Sequence, residues 1–355
     1  MNQLIIIGNG FDLAHGLKTS YNDFLIWYLN KVVSTVSRER IYKDSCITLQ
    51  AYNYRFATKR EISSIADFHS FLELNKEDLK VSSLDQYFRK LIDTYRRLFW
   101  VDIESVYYSE LKRIYIKLEQ IEESSRPFLS KQITKLNEAF ACLKQRLEEY
   151  LKEEVEQTRP DTIPAIEDAL LELHGVGLRK QNKLYFLVFN YTSTIKLYKK
   201  LFASPPCNIN FIHGELNKET NPMIFGYGDE MDSFYQKMEG LNDNAFLENM
   251  KSFGYFKTEN YQKLFRFLNS DVFNVHIMGH SCGLSDRILF NSIFEHPKCQ
   301  KIQLYYHQKS KDENDFFEKT QEISRHFKAD KKGDMRTKIV SFEKSKPLVP
   351  VEQRL

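Results

Sequence analysis

The apolar run Leu4-Ile5-Ile6-Ile7 stops abruptly at Gly8-Asn9-Gly10-Phe11-Asp12. A run with no polar alternation is apolar on both faces, so it reads as a strand inside a parallel sheet, covered above and below. Two glycines one residue apart after such a strand permit a tight turn and close backbone approach. The pattern recurs along the chain. Leu184 to Phe189 runs into Asn190, Asn208 to Ile212 into His213-Gly214, and Val272 to Met278 into Gly279-His280-Ser281. Further strands are expected at Lys301–Tyr306 and Thr337–Phe342. Helical patterns cover Tyr21 to about Val36, Asp243 to Asn269, Asp286 to Phe294 and Phe316 to Phe327. Strands alternating with helices predict an α/β fold built on a doubly wound parallel sheet.

A long interruption divides this pattern. From about Lys59 to Gln157 glycine disappears, and apolar residues recur at helical spacing among Lys and Glu. Leu136, Phe140, Leu143, Leu147 and Leu151 fall on one face of a long helix. Helix starts are read at Ser83-Leu84-Asp85 and at Ser130-Lys131. Breaks are read at Arg159-Pro160 to Pro164 and at Gly175-Val176-Gly177. The expected organisation is a sheet domain of residues 1–30 and 179–345, split by a large all-helical insertion of residues 31–178. Residues 346–355, with Pro347 and Pro350, are expected as a surface tail. The apolar stripes serve either a bundle core or assembly with a second copy, as a homo-oligomer.

Composition narrows the function classes. In 355 residues, 51 Lys and Arg face 48 Asp and Glu, for a net charge of +3. That balance makes no case for a polyanion partner. The five cysteines, Cys46, Cys142, Cys207, Cys282 and Cys299, are scattered and form no Cys-x-x-Cys pair. This spacing disfavours a disulfide scaffold and a zinc ribbon and suits reduced thiols. No apolar run approaches the ~20 residues needed to cross a bilayer. A cytoplasmic protein with no membrane partner and no metal is expected.

Ligands of open parallel sheets bind outside the carboxyl ends of the strands. Four such ends carry candidate residues here. Gly8, Asn9 and Gly10 offer backbone amides to an anion, typically a diphosphate. Asp12 would repel that anion unless it caps the helix or bonds a ribose hydroxyl. Asn190 can hold a donor and an acceptor together. His213, followed by Gly214, can take a proton near neutral pH. Gly279-His280-Ser281-Cys282-Gly283 fits the Gly-x-Ser-x-Gly expression, and with Asp286 suggests a hydrolase triad. No sharp strand-to-helix turn is evident there, so a serine nucleophile is disfavoured. His69, His174, His276, His296, His307 and His326 lack ligand spacing and are read as core or surface residues.

The segment Ile5 to Phe24 resembles the opening signature of the AbiH family of bacterial phage abortive-infection proteins. Phe189-Asn190-Tyr191-Thr192, Ile212-His213-Gly214, Phe225-Gly226-Tyr227-Gly228-Asp229 and Gly279-His280-Ser281 through Asp286 resemble its later blocks. A second, more distant resemblance is to sirtuin-like NAD-binding domains. Gly8, Gly10 and Gly16 share their glycine spacing, Asn190 and His213-Gly214 match their catalytic asparagine and histidine, and Gly279-His280-Ser281 matches their late loop. The blocks occur in the same order. The sequence departs at Asp12, where that family has serine, and at Thr192, where it has aspartate. It also lacks the four-cysteine zinc module, which argues against a protein deacetylase.

The resemblances imply a Rossmann-like, sirtuin-like fold and a defence effector that hydrolyses NAD or a related nucleotide at its N-glycosidic bond. Asn190 and His213 would be catalytic. Gly8, Asn9, Gly10, Phe11, Asp12, Gly16, Thr192, Gly214, Gly279, His280, Ser281 and Asp286 would bind the nucleotide. An unknown phage trigger or partner protein is also implied. Two alternatives are a nucleotide-binding sensor without turnover and an effector acting on nucleic acid.

Overall fold

A computed structural model describes residues 1–52, 61–98, 102–120, 126–175, 182–202 and 207–353. The strands are β1 (Asn2–Ile7), β2 (Ile41–Lys43), β3 (Ile47–Ala51), β4 (Leu79–Leu84), β5 (Lys183–Val188), β6 (Asn208–Phe211), β7 (Phe273–Met278), β8 (Cys299–Tyr306) and β9 (Lys346–Pro347). The helices up to the middle of the chain are α1 (Asn9–Ala14), α2 (Tyr21–Glu39), α3 (Ile65–Leu74), α4 (Gln86–Leu98), α5 (Ile103–Gln120), α6 (Arg126–Tyr150) and α7 (Pro164–His174). Then come α8 (Ser233–Glu239), α9 (Lys251–Gly254), α10 (Asn260–Leu268), α11 (Arg287–Phe294), α12 (Phe316–Ser324) and α13 (Lys332–Lys338). The chain divides into two compact units. One comprises Met1–Lys18, Glu156–Met231 and Met250–Leu355, and the other Thr19–Val155 and Asp232–Asn249. Residues 176–178, where the second break and the return to the sheet were expected, lie outside the described residues.

The first unit is built on a six-stranded, all-parallel sheet in the order β6-β5-β1-β7-β8-β9. The alternation along β1 shows why an apolar run is needed there. Leu4 and Ile6 enter a core with Phe267, Leu289, Ile293 and Ile323, from α10, α11 and α12. Ile5 and Ile7 enter a second core with Ile166 and Leu170 of α7 and Ile195 and Tyr198 of the 3-10 helix Thr194–Phe202. Helices therefore cover both faces, and a strand buried on both sides cannot alternate. Helix α7 starts with Pro164 at its first turn and stops at Gly175, whose φ of 74° is left-handed.

The second unit is not all-helical. Strands β2, β3 and β4 form an antiparallel sheet beside α2 to α6. The stripe Leu136, Phe140, Leu143, Leu147 and Leu151 is buried, as its spacing requires. Helix α6 packs against α2, α4 and α5, and the rings of Tyr107 and Phe140 lie 4.2 Å apart. The α4 start holds, with the Asp85 carboxylate accepting from the Tyr87 amide at 2.8 Å. Helix α6 begins at Arg126, ahead of the expected Ser130.

Two expectations near the C-terminus are corrected. Thr337–Phe342 is not a strand: α13 runs to Lys338, and Ile339 makes only an isolated bridge to Ile302. Residues 346–355 are not simply a surface tail. Lys346 and Pro347 pair with β8, and Leu348 and Val349 are buried in the core beside α7. The stretch 243–269 is helical only in pieces, with turns between α9 and α10. Among the described residues, no helix is long and apolar enough to cross a membrane.

Candidate functional site

The strand order makes β6, β5, β1 and β7 consecutive neighbours. Their carboxyl ends carry His213, Asn190, Gly8 and Gly279, so the four expected blocks converge on one sheet edge. The backbone ladder continues past the strands into these residues. The Phe189 amide donates to Ile7 O at 2.9 Å, the Ile212 amide to Val188 O at 3.0 Å and the Gly8 amide to Met278 O at 3.2 Å.

The first loop is knitted to its neighbours. The Gly10 amide donates to Gly279 O at 2.7 Å, and the Phe11 amide to Gly8 O at 2.9 Å. A Cβ on Gly10 would lie 2.8 Å from Gly279 O. Gly279 has φ +76°, and a Cβ there would lie 2.1 Å from the Phe11 nitrogen. Close backbone approach thus occurs between the two loops themselves. The Gly10 amide, one of the three offered to a diphosphate, is already engaged. Helix α1 spans only Asn9–Ala14, and Asn9 is exposed. Phe11 packs in the core, and Gly16 lies in an exposed turn.

Asn190 Nδ2 donates to Gly8 O at 3.0 Å. Asp12, 1% exposed, accepts from the Thr192 hydroxyl, and Thr194 donates to Thr192 at 3.3 Å. Asp12 Oδ1 has no partner among the described residues. Burial raises the Asp12 carboxyl above its ordinary value, although Thr192, Thr194 and Asn190 pull the other way. The residue pair that departs from the sirtuin pattern, Asp12 and Thr192, is therefore in direct contact.

A second, charged group lies beside this one. Asp286 Oδ1 accepts from Lys251 Nζ at 2.8 Å and lies 3.2 Å from His213 Nε2. His213 Nε2 is also 3.2 Å from the Tyr255 hydroxyl. His280 Nδ1 accepts from the Cys282 amide at 2.9 Å, which leaves its Nε2 facing Asp286 Oδ2 at 4.0 Å. The Phe189 ring packs edge-on against both imidazoles, at 4.9 and 4.3 Å. Lys251, His213, His280 and Asp286 are all buried. Burial alone would raise the Asp286 carboxyl, but Lys251 and His213 hold it well below the carboxylate range. Burial, with Lys251 adding to it, lowers the His213 imidazole against the pull of Asp286. His280 is lowered to about 3, chiefly by burial.

The chemical consequence is a neutral imidazole at neutral pH, able to accept a proton and oriented by a fixed carboxylate. Ser281 is exposed, and among the described residues no hydrogen bond joins it to His213 or His280. Gly214 is buried with its φ at +96° and the Pro222 carbonyl beside it. Sequence reasoning missed Lys251, Tyr255 and Phe189 as part of this group. It also missed the Arg287–Asp229 pair at 3.1 Å, which ties the Phe225–Asp229 block to α11. The block itself was visible in the sequence, but its partner was not.

Residues 4–308 match the family model described as bacteriophage abortive infection AbiH. No curated protein gives a match. The family match spans the strand ends at Gly8, Asn190, His213 and Gly279, together with Lys251 and Asp286.

Proposed function

This chain belongs to the AbiH family, and we propose that it acts in bacterial abortive infection by binding NAD or a related nucleotide and cleaving its N-glycosidic bond. The observation that carries the reading is the meeting of Asn190 and His213 at neighbouring strand ends, with Asp286 and Lys251 beneath the histidine. The sheet order supports it. Counted along this unit, β6-β5-β1-β7-β8-β9 is 3-2-1-4-5-6, the order of doubly wound dinucleotide-binding sheets, with its reversal between β1 and β7. In the reaction, the ribose C1′–N bond breaks and nicotinamide leaves with the bonding pair. Water attacks C1′, and His213 takes the water proton. Asn190 holds the ribose and water in line. The exposed Asn9 and its backbone face the diphosphate, the Gly8 and Gly10 amides being taken by Met278 O and Gly279 O, and Ser281 faces the adenosine side. A base of this kind supplies ~10²–10⁴-fold.

Purified full-length protein incubated with NAD should release nicotinamide, measured by chromatography, with and without phage lysate. His213→Gln and Asn190→Ala should lose at least ~100-fold while keeping their circular dichroism. Full activity in either folded variant would remove it from the reaction. A second reading has its own observation. His213 is 4% exposed and the Gly10 amide is engaged, which suits a nucleotide sensor without turnover. Saturable binding of NAD with no nicotinamide released under either condition would select it.

A further inference from the structure

The second unit contains a pair of thiols that the sheet-edge chemistry does not use. Cys46 lies in the turn between β2 and β3, and Cys142 lies in α6. Their Sγ atoms and an Asp44 oxygen all lie within 4.8 Å of one another. Cys46 is 1% exposed, whereas Cys142 is half-buried. Cys46 Sγ donates to Ala139 O, one turn before Cys142 on the same helix, at 3.5 Å.

A metal would be the first expectation for two thiols and a carboxylate. Asp44 argues against it. Its Oδ1 accepts from the amides of Cys46 and Ile47, and its Oδ2 from the hydroxyls of Tyr28 and Tyr42. A carboxylate has about four lone-pair sites, so none is left for a cation. Arg146 also stands 3.8 Å from Asp44 Oδ2. What remains is a dithiol with one half-buried cysteine and one buried cysteine.

We infer that Cys142 and Cys46 form a peroxide-sensitive pair, Cys142 the attacking thiol and Cys46 the resolving one, which closes to a disulfide within the second unit. The Cys142 thiolate attacks the terminal oxygen of a hydroperoxide and the O–O bond breaks, giving a sulfenic acid, while the hydroxide or alkoxide displaced leaves as water or an alcohol after proton transfer. The Cys46 sulfur then attacks that sulfur, the S–O bond breaks, and water leaves as the S–S bond forms. Two thiols lose two electrons and the peroxide O–O bond gains them. Side-chain rotation has to bring the two sulfurs from within 4.8 Å to about 2.05 Å. The neighbouring Cys46 thiol pulls the Cys142 thiol below its ordinary value, against burial and the adjoining Asp44 carboxylate. Among the other cysteines, burial pushes Cys282 up to about 12 and Cys299 up to about 11, which makes both internal controls.

The test uses the full chain with hydrogen peroxide as probe, followed by alkylation and peptide mass spectrometry. The expected result is a mass loss of about 2 Da with a Cys46–Cys142 peptide, reversed by dithiothreitol. Cys142 should alkylate at least about tenfold faster than Cys282 or Cys299 before oxidation. Cys46→Ser should stop at the sulfenic acid, trapped by dimedone on Cys142, and Cys142→Ser should give neither product. A disulfide through Cys207, or Cys142 oxidised without a Cys46 bridge in the parent, would overturn the pairing. So would zinc that protects both thiols and is released by chelator. Circular dichroism of each serine variant keeps a folding failure distinct from these outcomes.

Discussion

Lys251 neutralises a buried carboxylate. Its ammonium lies 2.8 Å from Asp286, and both side chains are buried. Removing one partner of such a pair leaves an uncompensated buried charge, which typically costs ~3–5 kcal/mol. Lys251→Met should therefore lower the stability measured by urea unfolding by that amount, whereas Lys251→Met with Asp286→Leu should recover most of it. A single variant as stable as the parent would mean the pair is not buried in solution. The histidines set the acid limb of stability. His276 Nε2 donates to Gln3 Oε1 at 2.9 Å, and burial lowers it to about 4. Its folded value lies below its unfolded value, so the unfolded chain binds the extra proton and stability falls as pH drops below about 6.5. Between pH 6.5 and 5 this one group should contribute a loss of about 2 kcal/mol, at ~1.4 kcal/mol per unit. Thermal melts across that range should show the slope, and His276→Gln should flatten it.

At the scale of elements, two glycines separate backbone strain from steric contact. Gly16 and Gly279 share a left-handed φ, +74° and +76°, yet a Cβ on Gly16 meets nothing within 4 Å while one on Gly279 meets the Phe11 nitrogen at 2.1 Å. Gly16→Ala should cost about 1 kcal/mol from conformation alone. Gly279→Ala should cost roughly 3 kcal/mol or more, because two backbone loops must part. Equal losses in urea unfolding would show that the loops do not approach so closely. The sheet edge was legible because β1 and β5, buried on both faces, read as apolar runs ending on Gly and Asn, and because the more polar β6 and β7 still end on His213-Gly214 and Gly279. The small sheet of the second unit was not. Its strand β4 is mostly exposed, and Lys80, Ser82 and Ser83 carry no apolar signal. Strand β9 has two residues, one of them proline, too few for a period. Thr337–Phe342 was misread because its β-branched residues suit a strand, while only Ile339 and Val340 reach β8, by one bridge and one amide bond to Ile302 O. Lys251 escaped because a lone lysine normally marks solvent, and nothing local reveals that Asp286 waits for it.

For the whole molecule, the decisive feature is that the centre of the first sheet comes from the first residues of the chain. Strand β1 pairs with β5 on one side and β7 on the other. Its partners begin at Lys183 and Phe273, and Thr19–Val155 folds into the other unit in between. Loop-closure cost grows only as the logarithm of loop length, so this separation is tolerable at equilibrium. It falls on the folding rate, because the central pairings are non-local. Without β1, strands β5 and β7 would face each other across an unfilled gap, and both cores would lose Leu4 to Ile7. Burying each of those four side chains contributes ~1.5–3 kcal/mol, comparable in sum with the ~5–15 kcal/mol by which such proteins are stable. Deleting residues 1–8 should therefore abolish cooperative unfolding of the first unit, followed by hydrogen exchange on β5 and β7. Ending the chain after Pro350 should not, because β9, Leu348 and Val349 remain. Protected β5 and β7 amides in the N-terminal deletion would show that the sheet assembles without its central strand. The Asn190 and His213 ends would then not need Gly8 to be held together.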